Sequence, residues 1–116
     1  VGNLTVGGTG KTPLTLWLAR RLAARGYRVA ILSRGYRGSA TAPTVVSRGD
    51  GLEVPVELVG DEAAMLAKCF AGPVVVSRRR AAGVVLARRL GCDVVVLDDG
   101  FQHRALARDF DLVIVS

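Results

Sequence analysis

A glycine-rich stretch near the start of the chain, GGTGKT, has the residue types of a loop that binds nucleotide phosphates. In such loops backbone N–H groups surround the phosphate oxygens, a lysine reaches the β- and γ-phosphates, and the next hydroxyl binds Mg²⁺. The usual spacing, G-x-x-x-x-G-K-[ST], is intact at its end, but threonine replaces glycine at its head. We therefore predict a phosphate loop with a metal-binding hydroxyl at Thr12, formed by Thr5, Gly7, Gly8, Thr9, Gly10, Lys11 and Thr12.

Two adjacent carboxylates, Asp98 and Asp99, follow the apolar run DVVVL. In a doubly wound sheet, ligands bind at the carboxyl ends of the strands. The phosphate loop follows a short strand remnant at residues 1–3 in the same sense, so both motifs are expected to face one crevice. The pair is therefore predicted to organise magnesium beside the nucleotide.

Two further residues allow both a structural and a functional interpretation. Asp61 begins a predicted helix, where an acidic residue is ordinary capping, yet it also follows a strand and could act in catalysis. His103, the only histidine, lies just after the acidic pair and is either structural or a hydrogen-bonding group for substrate, phosphate or carboxylate. The residues alone leave both alternatives open.

Several arginines are candidates for binding anions at the same crevice. Arg34 and Arg37 follow a predicted strand, and the run Arg78–Arg80 follows another. For Arg79 and Arg80 a solvated surface is the favoured interpretation.

The elements that must position these residues alternate between strand and helix. Pro13 suits a helix start and Gly26 a helix end. An Asp-Gly turn at residues 50–51 predicts a small β-hairpin insertion between strands at 44–47 and 53–58. Further strands are expected at 27–33, 74–76, 93–97 and 112–115, with helices after residues 60 and 77. This order predicts an α/β fold like that of the P-loop NTPases, with a doubly wound, mostly parallel sheet in a single domain over residues 1–116.

Composition narrows the class of protein. Half of the 116 residues are hydrophobic, the net charge is +6, and all but two of the basic residues are arginine. This balance mildly favours polyanionic partners. Cys69 and Cys92 lack metal-ligand spacing and are expected to be buried, reduced thiols. No apolar run approaches the ~20 residues of a spanning helix. Because the first residue is valine, we expect the sequence to be a piece of a longer chain.

Five segments in this order and spacing closely resemble the tetraacyldisaccharide 4′-kinase family of Gram-negative bacteria: VGNLTVGGTGKTP, LSRGYRG, VGDE, PVVVSRRR and LDDGFQHRALARD. The resemblance covers the whole chain, and threonine at the loop head fits the family. It implies transfer of the ATP γ-phosphate to the 4′-hydroxyl of a tetraacyldisaccharide 1-phosphate, with ATP and Mg²⁺ required. It also implies a site on the cytoplasmic face of the inner membrane, with the membrane helix and a C-terminal portion outside this sequence.

The resemblance also implies roles for individual residues. Asp61 matches the residue proposed to activate the sugar hydroxyl, and Asp98 and Asp99 match the acidic pair near magnesium. Gln102 and His103 match the end of the DDGFQH motif at the nucleotide. The catalytic partner of the aspartate is a histidine in the family's C-terminal portion, so His103 is not given that role. We accordingly expect Lys11, Asp61 and Asp99 to be catalytic, and Thr12, Asp98 and Asp99 to bind the metal.

Two other classes compete with this interpretation. A different ATPase or GTPase with a double-glycine loop, acting on a protein or small molecule, is the main alternative. Such proteins often carry a lysine early in the loop, where this chain has Thr5 and Val6, and a guanine-specific N-K-x-D motif is missing. A nucleic-acid-binding module is disfavoured because the aromatic residues are scattered rather than grouped for stacking. We expect a monomer without a nucleic-acid partner.

Overall fold

A computed structural model describes residues 14–35, 37–98 and 110–114 of the chain. Its helices are α1 (Leu14–Ala24), α2 (Val56–Val59), α3 (Asp61–Cys69) and α4 (Arg80–Arg89). Its strands are β1 (Val29–Ser33), β2 (Thr44–Ser47), β3 (Val74–Val76), β4 (Val94–Asp98) and β5 (Phe110–Ile114). Within these residues the strands form one sheet in the order β2-β3-β1-β4-β5.

The central strands are parallel, with β1 between β3 and β4, and every residue of these three strands is buried. Such continuous burial requires cover on both faces, which explains the unbroken valine and leucine runs. Strand β2 pairs with β3 and β5 pairs with β4, both antiparallel, at the two edges of the described sheet.

Helices cover both faces of the sheet. One face packs Ile31 of β1 against α1 and α3, and the other packs Leu32 of β1 against α4. The chain passes from β1 to β3 through α3 and returns from β3 to β4 through α4. The first crossover moves along the sheet from β1 to β3 over one face, and the second moves in the opposite direction, from β3 to β4, over the other face. Because both the direction along the sheet and the face are reversed, the two crossovers have the same handedness, as a doubly wound sheet requires. The predicted α/β class is confirmed.

Helix α1 ends as its sequence predicts. Its last residue is Ala24, and Gly26 follows with a φ of 100°. The N–H groups of Gly26 and Tyr27 donate to the carbonyls of Ala23 and Leu22, at 3.0 and 3.3 Å. Glycine suits this position because a left-handed φ is strained for other residues.

The predicted β-hairpin is wrong in its second strand. Residues 53–58 do not form a strand: Val56–Val59 is the helix α2, which Pro55 precedes with a φ of −65°. Proline lacks the N–H that a paired strand must donate, and β2 instead pairs with the fully buried β3. The chain still turns back after β2, since the Glu53 N–H donates to the Val46 carbonyl at 2.8 Å.

Candidate active site at the carboxyl edge of the sheet

Strands β1, β3 and β4 end at one edge of the sheet, which we call the carboxyl edge. Polar groups are buried there although the strands themselves are apolar: Ser33 ends β1, Ser77 follows β3, and Asp98 ends β4, with exposures of 3, 3 and 7%. The parallel register pairs Leu32 with Leu97, which sets Ser33 and Asp98 at the same level in neighbouring strands. Ligands bind at this edge in doubly wound folds.

Asp98 connects the end of β4 to the first turn of α1. The Thr15 hydroxyl, which is 1% exposed, donates a hydrogen bond to Asp98 Oδ1 at 3.4 Å. Thr15 lies three residues after Thr12, hence about one helical turn beyond the predicted phosphate loop. The helix that follows the loop is therefore attached directly to the predicted metal-binding strand end.

The loop after β1 turns sharply at the same edge. The Gly35 N–H donates to Ser33 Oγ at 3.3 Å, and the Gly38 N–H donates to the Gly35 carbonyl at 2.8 Å. Arg37 takes a left-handed φ of 67° inside this turn. A side chain at Gly38 would place its Cβ only 2.5 Å from the Leu58 carbonyl oxygen. Glycine at position 38 therefore permits close contact between this loop and α2.

Asp61 is the first residue of α3, and its side chain is exposed. Gly60 precedes it with a φ of 95°, which allows the chain to leave α2 and start α3 without a break. The carboxylate lies at a helix N-terminus, where the helix dipole favours a negative charge. Since α3 runs back toward the start of β3, its N-terminus lies on the side of the sheet where β3 ends.

In the basic run after β3, Arg78 binds backbone carbonyls, while the next two arginines lie on the surface. Arg78 Nε donates to the Ala40 carbonyl at 2.9 Å, and its Nη2 donates to the Gly38 carbonyl at 3.4 Å. Arg79 and Arg80 are exposed, as a solvated surface requires, while Arg34 is partly buried. The sequence made Arg34, Arg37 and Arg78 anion-binding candidates and favoured a solvated surface for Arg79 and Arg80. It did not predict that Arg78 holds a neighbouring loop.

The structure thus brings three predicted motifs together: LSRGYRG, VGDE and the SRRR that follows β3. Of the predicted site residues, Asp61 and Asp98 lie within the described part of the chain, both at the carboxyl edge. The others lie outside the described residues: Thr5, Gly7, Gly8, Thr9, Gly10, Lys11, Thr12, Asp99, Gln102 and His103. Their roles remain predictions.

Sequence reasoning missed Thr15 as part of this site. Its only sequence signal is its position, three residues after Thr12, the predicted metal ligand, and on the same side of the predicted helix. The described part of the predicted magnesium site suits that cation, because the buried Asp98 carboxylate is a hard oxygen donor next to a hydroxyl. Among the described residues, no group of three or more His, Cys, Asp or Glu side chains could hold a metal ion.

An apolar cavity of about 340 Å³ lies at the opposite edge, where the strands begin. Its walls include Tyr27, Phe70, Pro73, Leu90 and Cys92, and none of the predicted site residues. Burial there raises the pKa of the Cys92 thiol, and the neighbouring Asp93 carboxylate raises it further. Cys69 is exposed, so the prediction that both thiols are buried is wrong for Cys69.

Comparison with solved structures defines the class of protein. A crystal structure of LpxK from Aquifex aeolicus in complex with ATP matches with a TM-score of 0.70 and 45% sequence identity. The match covers 89% of this chain and 33% of that one. The fold is that of a P-loop kinase.

The particular family follows from the sequence comparisons. The family model described as tetraacyldisaccharide-1-P 4′-kinase matches residues 1–116, and the chain belongs to this family. Tetraacyldisaccharide 4′-kinases from Anaeromyxobacter sp. (strain K) and Coxiella burnetii (strain RSA 331 / Henzerling II) are 51% and 48% identical to it. Each match covers 100% of this chain. The chain spans 31% and 35% of the two relatives' lengths, about a third.

No helix within residues 14–35, 37–98 and 110–114 combines the length and apolar character needed to cross a membrane.

Proposed function

We propose that the protein containing this chain is an ATP-dependent kinase of lipid A biosynthesis. It transfers the γ-phosphate of ATP to the 4′-hydroxyl of a tetraacyldisaccharide 1-phosphate. The observation that carries the proposal is the match to one family along the whole chain, combined with a buried Asp98 tied to α1 at the carboxyl edge. The relative bound to ATP supports the nucleotide part.

In this reaction the 4′-oxygen of the sugar forms a bond to the γ-phosphorus. The bond between that phosphorus and the oxygen bridging it to the β-phosphate breaks, and ADP leaves. Asp61 accepts the proton of the hydroxyl, which suits an exposed carboxylate at a helix N-terminus. Lys11 and the backbone of the phosphate loop hold the β- and γ-phosphate oxygens.

The residues proposed to hold magnesium are Thr12, Asp98 and Asp99. When bound, Mg²⁺ neutralises the charge of the phosphate oxygens during transfer. The chain's own contribution is to hold Asp98, the last residue of β4, against α1, which begins two residues after Thr12. The hydrogen bond between Thr15 and Asp98 keeps these two elements together.

We further propose that the protein acts at the cytoplasmic face of the bacterial inner membrane. A substrate with four acyl chains stays in the bilayer because each buried CH₂ contributes about 0.8 kcal/mol. ATP is supplied from the cytoplasm, so the reaction takes place on that face. Exposed arginines of the chain, Arg79 among them, would be attracted to anionic lipid.

The test is a transfer assay with the full-length protein. Labelled phosphate from [γ-³²P]ATP should appear on the 4′-position of tetraacyldisaccharide 1-phosphate in detergent micelles, and only with Mg²⁺ present. Lys11→Ala should abolish or strongly reduce this transfer, because the cation at the β- and γ-phosphates is lost. Steady ATP hydrolysis without any transfer to the lipid would reject the proposal and favour an ATPase of another class.

Localisation needs its own measurement. After cell fractionation, the full-length protein should sediment with inner membranes at both low and high salt. Recovery of all the protein in the high-speed supernatant at low salt would contradict the membrane assignment.

A further inference from the structure

We propose that Arg78 is a positioning residue for Asp61, acting through the backbone of residues 38–40 and the helix α2; the inference rests on the proposed function, in which Asp61 accepts the proton. Arg78 does not belong to α3 and lies 17 positions from Asp61 in the sequence. A continuous set of contacts nevertheless joins the two residues at the carboxyl edge.

The first contact joins the guanidinium group of Arg78 to the loop after β1. Arg78 Nε and Nη2 donate to two carbonyls of the same loop, Ala40 at 2.9 Å and Gly38 at 3.4 Å. A guanidinium has several donors in a rigid plane, so it can fix two acceptors relative to each other, which a single ammonium group does less well. The side chain therefore defines the path of residues 38–40.

Arg78 is itself anchored in the sheet. The Ser77 N–H donates to the Ser33 carbonyl at 3.0 Å, which continues the pairing of β3 with β1. The buried Ser77 hydroxyl donates to the Arg79 carbonyl at 2.7 Å and accepts the Arg79 N–H at 3.2 Å. The backbone on both sides of Arg78 is thus held, and the guanidinium transmits the position of the sheet to the loop.

The second contact joins the loop to α2. The N–H groups of Ser39 and Ala40 donate to the carbonyls of Glu57 and Leu58, at 3.1 and 2.9 Å. Ala40 therefore accepts from Arg78 with its carbonyl and donates to α2 with its N–H. A Cβ at Gly38 would lie 2.5 Å from the Leu58 oxygen, so the loop and α2 are in direct backbone contact.

The third contact passes from α2 to Asp61. Only two residues separate Leu58 from Asp61, and both are buried: Val59 and Gly60. The Gly60 N–H donates to the Val56 carbonyl at 2.7 Å, and the Gly60 carbonyl accepts the Ala64 N–H at 3.1 Å. A shift of α2 therefore moves the start of α3, where the carboxylate of Asp61 is attached.

The test uses the full-length enzyme and two kinetic backgrounds. Arg78→Met keeps the apolar stem and removes the donors, and it should lower kcat by about ten-fold or more with an unchanged KM for ATP, because small misplacements of a reacting group are costly. In an Asp61→Asn background, the same change should lower kcat by less than about two-fold, because residues that act through one another are not additive. Arg78→Lys should restore part of the activity.

The matched control is Arg88→Met, which changes an exposed arginine in the last turn of α4, away from the carboxyl edge. It should leave kcat and KM unchanged. Equal losses from Arg78→Met in the wild-type and Asp61→Asn backgrounds would overturn the proposal, as would wild-type kcat in Arg78→Met. A higher KM for ATP with unchanged kcat would also overturn it.

A second measurement does not depend on activity. Amide hydrogen exchange of peptides covering residues 37–41 and 57–62 should be faster in Arg78→Met and unchanged in Arg88→Met. Unchanged exchange in both peptides would overturn the contact path even if activity falls. If the wild-type enzyme does not phosphorylate the lipid, the proposed function fails, whereas the exchange data still report on the contacts of Arg78.

Discussion

Thr15 Oγ1 lies 3.4 Å from Asp98 Oδ1, and this hydrogen bond joins the first turn of α1 to the last residue of β4 across 83 positions of sequence. Both side chains are buried, so the bond is shielded from water and worth more than a surface contact. In the sequence α1 follows the predicted phosphate loop, and Asp98 is one of the predicted metal ligands, so the bond joins two elements that adjoin the predicted nucleotide site.

Replacing Thr15 with valine should destabilise the protein. Valine has nearly the shape of threonine but cannot donate, so the buried Asp98 carboxylate loses a hydrogen bond, at a cost of about 1–2 kcal/mol. Urea denaturation of the full-length protein measures the effect, with Thr15→Ser as the control that keeps the hydroxyl. Equal denaturation midpoints for the valine and serine variants would contradict the assigned bond.

Asp61→Asn and Asp99→Asn should affect different steps. Loss of the base lowers kcat with little change in ATP affinity, because the base acts mainly in the transition state. Loss of a metal ligand instead raises the Mg²⁺ concentration needed for half-maximal activity. Steady-state kinetics with Mg²⁺ titration separates the two effects. An unchanged kcat for Asp61→Asn would remove it as the base, and a Mg²⁺ titration of Asp99→Asn that superposes on the wild type would remove the metal role.

Gly83→Ala should destabilise α4 although alanine is the better helix former. A Cβ at Gly83 would lie 2.8 Å from Leu32 Cδ2 and closer still to Cδ1, and the fully buried Leu32 would have to shift within the packed core. Overpacking of this kind costs about 1–3 kcal/mol, which exceeds the gain in helix propensity of about 1 kcal/mol. Thermal or urea unfolding would reveal the loss.

The double variant Gly83→Ala with Leu32→Val provides the control for that contact. The shorter valine makes room for the new methyl group, so the two changes together should cost less than the sum of the single costs. Strict additivity would mean that residues 32 and 83 are not in contact.

The free energy of unfolding should fall above about pH 9 because of Cys92. Burial raises the pKa of this thiol in the folded protein above its ordinary value of 9.0, and Asp93 adds to the rise. The unfolded chain therefore releases the proton at lower pH than the folded one, and stability present below pH 9 is lost as pH rises toward the folded pKa. Urea denaturation between about pH 8 and pH 10 should show a smaller slope for Cys92→Ala.

Cys69→Ala is the matched control, since Cys69 is exposed. Its pH slope should equal that of the wild type. A wild-type slope in Cys92→Ala would show that the buried thiol does not titrate as proposed.

Local physical chemistry explains how much the sequence predicts. The runs VAIL in β1 and VVVL in β4 identify buried central strands, because only sheets covered on both faces tolerate continuous apolar residues. Gly26 predicts the end of α1, because its left-handed φ favours glycine. The spacing of five motifs indicates the family, and the comparison along residues 1–116 confirms it.

Contacts between distant segments are decided only by the tertiary structure. Residues 53–58 have strand-like composition, yet Val56–Val59 is helical because β2 pairs with β3 and leaves that segment without a strand partner. Arg78 is one of three adjacent arginines in the sequence, and only the fold brings it to the carbonyls of Gly38 and Ala40. By itself, the sequence determined the motifs and most of the elements, because these depend on neighbouring residues. Strand order and the contacts at the carboxyl edge depend on which buried surfaces meet, and that choice belongs to the folded chain as a whole.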